Sequence, residues 1–156
     1  MLHLNTIEQL IQSALKARNY SYAPYSHFYV GAALLAEDGK IYTGCNIESA
    51  AFSPTNCAER TAFFKAVSEG QRQFQAIAVA GGTESPGESV LQRAVTPCGV
   101  CRQVMAEFCQ KDFQVIAARS EKVYQIFSLK ELLPQSFGST DLNNEPYANE
   151  NISETL

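Results

Sequence analysis

Residues 28–48 read FYVGAALLAEDGKIYTGCNIE, two strand-like runs on either side of Asp38-Gly39. The first run, Phe28 to Ala36, is apolar and short. The second, Lys40 to Glu48, mixes β-formers with polar residues. An Asp-Gly pair between two such runs supplies the backbone freedom a tight reversal needs, so the stretch predicts a hairpin of antiparallel neighbours.

Working outward from that hairpin, the N-terminal side carries Ile7, Leu10, Ile11, Ala14 and Leu15 at helical spacing. Asn5 with Glu8 three residues on has the form of a capping box, so a first amphipathic helix is expected to run to about Asn19. On the C-terminal side, a helical pattern extends from Thr55 or Asn56 to Gly70, with polar caps before it and a glycine stop after it. Gln75 to Ala80 reads as a buried strand, and Gly81 to Val95, which holds Gly81-Gly82 and Ser85-Pro86-Gly87, as a surface loop. A third helix should open with Thr96 as its cap and Pro97 at its first position, its inner face marked by Cys101, Val104, Met105 and Phe108. Phe113 to Ala118 and Val123 to Phe127 complete the sheet. This order predicts an α/β fold, a three-layer sandwich in which helices cover a five-stranded mixed sheet. Residues 1–142 would form one domain. Residues 143–156, rich in Asn, Glu and Ser, read as a flexible tail.

The 156 residues are enough to bury a core without disulfides, and 46% hydrophobic with 18% charged residues fits an ordinary globular protein. No stretch is long and apolar enough to span a bilayer, and no export signal precedes the first helix, so a cytoplasmic address is expected. A net charge of −4 provides no positive field for a nucleic-acid polymer. Five cysteines in a reducing compartment point to thiolate chemistry or burial rather than a disulfide framework.

Three of those cysteines fall at expected helix beginnings: Cys57 in the second helix, Cys98 and Cys101 in the third. A helix N-terminus carries partial positive charge and free N–H groups, which favour the thiolate that binds metal. Cys98-x-x-Cys101 alone would suit a redox or structural site equally well. Cys57-Ala58-Glu59 adds a carboxylate two residues from a candidate ligand, and C-x-E followed by P-C-x-x-C is the three-cysteine signature of zinc deaminases. Three protein ligands leave the fourth corner of a tetrahedral zinc site open for catalysis.

Plainer readings stand beside these. Asn56 and Glu59 are spaced as a capping box. Cys45 and Cys109 read as small buried hydrophobes. Phe28 sits where an alternating strand residue packs in a core. Neither His3 nor His27 is read as a ligand.

The chain resembles the small, homotetrameric, three-cysteine cytidine deaminases. The resemblance is carried by Tyr22-Ala-Pro-Tyr-Ser-His-Phe28, Val30-Gly-Ala-Ala33, Gly44-Cys-Asn-Ile-Glu48, Asn56-Cys-Ala-Glu-Arg-Thr61, Pro97-Cys-Gly-Val-Cys-Arg-Gln103 and Glu131-Leu-Leu-Pro134. It implies one Zn²⁺ per chain on Cys57, Cys98 and Cys101, with Glu59 as the proton shuttle and Arg60 hydrogen-bonded to ligand sulfurs. By the same resemblance Asn46 and Glu48 would contact ribose, Phe28 would lie against the pyrimidine, Ala58 would contact the substrate, and Phe137, Ala50 and Phe52 would reach across from a neighbouring subunit. The implied reaction is hydrolytic deamination of cytidine and deoxycytidine in pyrimidine salvage, by a homotetramer with shared active sites and no nucleic-acid polymer or membrane as partner. The rival readings are a deaminase of another aminopyrimidine and a zinc-binding module without catalysis; Glu59 separates the second, since such a module has no use for a carboxylate there.

Overall fold

The computed structural model describes residues 2–142; the tail expected at 143–156 lies outside the described residues. Five strands form one sheet in the order β2-β1-β3-β4-β5: β1 (Tyr29–Ala36), β2 (Ile41–Cys45), β3 (Phe74–Gly82), β4 (Gln114–Ser120) and β5 (Val123–Ser128). β3 and β4 run parallel and the other neighbours antiparallel, so the sheet is mixed. Alternation along the strands divides the core in two. Ala32, Leu34, Ile77 and Val79 point to one face, against α2 (Ala58–Ser68) and α3 (Gly99–Phe108). Ala33, Leu35, Ala76, Ala78 and Ala80 point to the other, against α1 (Leu4–Arg18). The three-layer sandwich is thus built as the pattern predicts.

The hairpin turns at Gly39, whose φ of 87° lies in the region a side chain disfavours, with Gly39 N–H donating to Ala36 O at 3.0 Å. Two further glycines set the layer spacing. A Cβ on Gly31 would run into the backbone of Ala14 and Arg18, and one on Gly44 into that of Ala58 and Ala62. α1 and α2 therefore lie directly on the sheet at these points. Phe63 of α2 packs against Phe74, Phe108 and Phe113, with ring centroids 5.0, 6.1 and 6.3 Å away. This aromatic cluster packs the middle of α2 against the last turn of α3.

Several boundaries differ from expectation. α1 starts at Leu4 with His3 as N-cap and no side-chain cap bond, so the Asn5–Glu8 box does not form. β2 ends at Cys45 because Asn46 continues the ladder with its side chain: Oδ1 accepts from Val30 N–H at 2.8 Å and Nδ2 donates to Phe28 O at 2.7 Å. α3 starts at Gly99 with Cys98 as N-cap; the Thr96 hydroxyl instead accepts from Arg102, and Pro97 precedes the helix. The segment after β3 is more than a surface loop, for Leu91 is buried in the α1-side core and exchanges backbone and side-chain hydrogen bonds with Arg119. Two short helices were not foreseen, α4 (Leu129–Leu132) and α5 (Ser139–Leu142). α4 opens on a capping box between Ser128 and Glu131, which gives the Glu131-Leu-Leu-Pro134 motif a structural role. Among the described residues no helix is long and apolar enough to cross a membrane.

Candidate active site

Cys57 and Cys98 are the N-caps of α2 and α3, and neither makes a side-chain cap bond. A serine or asparagine there would turn its oxygen back onto the helix N–H groups. Cysteine leaves both sulfurs turned outward. Cys101, one turn into α3, is buried, Cys57 is half-buried and Cys98 exposed. The three Sγ atoms lie within 4.8 Å of one another, Cys57 to Cys98 at 3.8 Å and Cys98 to Cys101 at 3.6 Å. A tetrahedral ion held about 2.3 Å from each sulfur requires sulfurs about 3.8 Å apart, so the donor spacing fits zinc. Among the described residues this is the one grouping of cysteine, histidine and carboxylate ligands close enough to hold a metal ion. Cys45 lies away from it, its thiol donating to Tyr20 O at 3.3 Å, and Cys109 is half-buried at the end of α3.

Electrostatics in the cluster favour ligation. The Cys57 thiol is drawn down to about 5, chiefly by hydrogen bonding from Cys101 and, against the opposing pull of burial, by Arg60. Cys101 is pushed up, since it gives that hydrogen bond to Cys57, is buried and faces Glu59. Arg60 places a guanidinium nitrogen 3.5 Å from both Cys57 Sγ and Thr55 O. Arg60, nominated by the resemblance, thus stands beside the Cys57 sulfur.

Glu59, in the first turn of α2, is only 5% exposed and makes no capping box with Asn56. Asn56 instead pairs its backbone with Ile47 and donates its side chain to Thr61. Burial raises the Glu59 carboxyl to about 7, with Cys57 adding to the rise and Cys101 and Arg60 opposing it. A carboxyl poised near neutrality accepts and returns a proton with little cost either way.

Of the other nominated residues, Asn46 and Glu48 flank a segment that lies against the start of α2. Ile47 bridges Tyr22 on one side and Asn56 on the other, so the Asn46-Ile47-Glu48 segment is hydrogen-bonded to the residue preceding Cys57. Glu48 accepts from the backbone N–H groups of Tyr25 and Ser26 at 2.9 and 3.2 Å, and these bonds with the Ser26 hydroxyl hold its carboxyl below the usual range. Ala58 is fully buried under the first turn of α2. Phe28 is half-buried with its ring edge beside Gly81, which Val30 and Val95 also flank. Ala50, Phe52 and Phe137 are exposed; Phe52 has a φ of 57° and touches Tyr25 edge-on at 6.0 Å. Hollows of about 780 and 430 Å³ lie elsewhere, beside Phe108 and Gln114 and beside Cys45 and Lys65.

Two residues quoted in a motif but given no role prove to brace the site. Arg102 donates to Pro97 O at 2.7 Å, Thr96 Oγ1 at 3.0 Å and Leu132 O at 2.8 Å, fixing the backbone that delivers Cys98. Gln103 donates to Phe137 O at 2.7 Å. Their signal was polarity within the first turns of an otherwise amphipathic helix.

Residues 4–117 match the family described as the cytidine and deoxycytidylate deaminase zinc-binding region. A cytidine deaminase of Sporosarcina psychrophila is 53% identical over 88% of this chain and 95% of its own length. That of Halalkalibacterium halodurans is 48% identical over 88% and 98%. The crystal structure of cytidine deaminase from Burkholderia pseudomallei superposes with a TM-score of 0.74 at 42% identity, covering 88% of this chain and all of that one.

Proposed function

This chain is an enzyme of the cytidine and deoxycytidylate deaminase family, and we propose that it hydrolyses cytidine and deoxycytidine to uridine and deoxyuridine with release of ammonia, serving pyrimidine salvage. The observation that carries this reading is the convergence of three thiols, 3.8 and 3.6 Å apart along Cys57–Cys98–Cys101, beside a buried carboxyl. Cys57, Cys98 and Cys101 would hold Zn²⁺, one per chain. When bound, zinc supplies Lewis-acid activation of water at neutral pH.

Glu59 manages the protons. It takes one from the attacking water as the oxygen bonds to C4, and gives it to N3. It then takes the remaining proton of the new C4 hydroxyl and delivers it to the amino nitrogen. The C4–N4 bond breaks, C4=O forms, and ammonia leaves with a proton count that balances. Arg60 offsets the excess negative charge of three thiolates through its contact with Cys57 Sγ.

The sugar and base are assigned to the surrounding residues. Asn46 and Glu48 would take ribose hydroxyls; each already accepts backbone N–H bonds, which hold the side chains in fixed orientations. Phe28 would lie against the pyrimidine and Ala58 beneath it. The same reading includes a homotetramer in which Ala50, Phe52 and Phe137 contribute to a neighbour's site. Support comes from aromatic side chains that this chain leaves exposed, Phe52 at 72%, Phe137 at 61% and Tyr22 at 57%, which a neighbouring subunit would cover. A cytoplasmic address suits five cysteines that are all free.

The test is to follow cytidine absorbance and bound zinc in one purified sample. The reading expects one zinc per chain and stoichiometric uridine and ammonia. A zinc-loaded protein that leaves both nucleosides unchanged would refute it.

A further inference from the structure

The last residue of α1, Arg18, is completely buried, on the same helix face as Ile7, Ile11 and Ala14. A buried charge persists only where its hydrogen-bonding capacity is met. Here four backbone carbonyls meet it. Nε donates to Tyr29 O at 3.0 Å, one terminal nitrogen to Ser85 O at 3.2 Å, and the other to Gly82 O at 3.2 Å and to Glu84 O. The Glu84 carboxylate is the counter-ion at 3.8 Å.

The carbonyls it selects are informative. Tyr29 and Gly82 are partners at the open end of the β1–β3 ladder. Each is one residue from a member of a contact at the active site: Phe28 precedes Tyr29, and Gly81 precedes Gly82. A Cβ on Gly81 would stand 3.3 Å from Phe28 Cε1 and 2.9 Å from Val95 Cγ2, so the Phe28 ring edge rests on bare backbone there. Three successive carbonyls are each fixed by a different side chain. Asn46 takes that of Phe28, Arg18 that of Tyr29, and the Ser21 hydroxyl that of Val30 at 2.9 Å. Arg18 alone of the three also grips β3, and so ties the ring to the wall it leans on.

We propose that Arg18 is a positioning residue for substrate binding, holding Phe28 in register with the Gly81–Val95 wall from outside the active site. The inference rests on the reading that Phe28 lies against the pyrimidine. Lysine at this position keeps the charge but lacks the planar fork that spans several carbonyls.

The test is a cycle of Arg18→Lys, Phe28→Ala and the double variant, reading KM, kcat and zinc content for cytidine. Arg18→Lys should raise KM by roughly tenfold while kcat stays within about twofold and zinc is retained, the pattern of lost binding without lost chemistry. In the Phe28→Ala background it should add nothing, because its effect passes through that ring. Should Arg18→Lys be too unstable to purify, Arg18→Gln, which keeps an amide donor, takes its place in the same cycle. KM effects that multiply in the double variant, or a fall in kcat and zinc with KM unchanged, would overturn the proposal. If Phe28→Ala alone leaves KM unchanged, the assignment of Phe28 to the base fails, and the proposal fails with it.

Discussion

Replacing Gly44 by alanine adds one methyl group at the point where α2 rests on β2, and the structure gives the size of the disturbance. The new Cβ would stand 2.9 Å from Thr61 Cβ, where ordinary contact begins at 3.4 Å, and would overlap the backbone of Ala58 and Ala62 more severely. These obstacles are helix backbone and a branched side chain, and the worst, Ala58 O at 2.4 Å against an ordinary 3.4 Å, requires α2 to move outward by about 1 Å rather than repack. Overpacking of this kind costs roughly 1–3 kcal/mol. In a domain of this length each kcal/mol lowers Tm by about 2–4 °C, which gives an expected loss of about 2–12 °C. The larger consequence is for chemistry. α2 carries Cys57 and Glu59 at its start, whereas Cys98 and Cys101 ride on α3, so a shift of α2 alone separates the Cys57 sulfur and the Glu59 carboxyl from the other two sulfurs. A displacement approaching 1 Å at reacting groups costs on the order of 100-fold in rate. Thermal unfolding by circular dichroism, zinc content and cytidine turnover should be measured on the same preparation. Wild-type turnover together with wild-type Tm would show that α2 is not seated on Gly44 and would refute the reasoning.

Two further outcomes follow from the same geometry. Arg60→Ala removes the hydrogen bond to Cys57 Sγ and should weaken zinc retention or activity by roughly 10–100-fold, read by chelator competition and steady-state kinetics, with Tm of the zinc-loaded protein little changed. Leu91→Ala, at a residue 1% exposed in the α1-side core, should destabilise the fold by about 2–5 kcal/mol in denaturant unfolding while leaving kcat near wild type.

Much of the architecture was legible because it rests on periodicity. The α1 stripe, the Asp38-Gly39 hairpin and the glycine after α2 each follow from spacing and turn chemistry, and Gly70, at φ 90°, closes its helix as expected. Helix beginnings were misplaced for an equally physical reason. Cap preferences favour Asn56 and Thr96, but the fold places Cys57 and Cys98 at the caps, since sulfurs destined to converge must not be turned inward. The clustering of Cys57, Cys98 and Cys101 was readable from motif spacing and helix starts, whereas the Phe63–Phe108 contact that packs α2 on α3 carries no local sequence signal. Long-range hydrogen bonding was the least visible layer. Asn46, nominated for the sugar, also extends β2 through its side chain, and Arg18, which no motif singles out, is buried at a position in line with Ile7, Ile11 and Ala14.

The most direct trial of the reaction centre is Glu59→Gln, assayed for bound zinc and for cytidine turnover in the same sample. The amide keeps the shape of the carboxyl but holds no transferable proton at neutral pH. Zinc near one per chain with turnover reduced by on the order of 100-fold or more is the expected result. Zinc retained with undiminished deamination would contradict the assignment of Glu59 as proton carrier, and with it the account of how this site works.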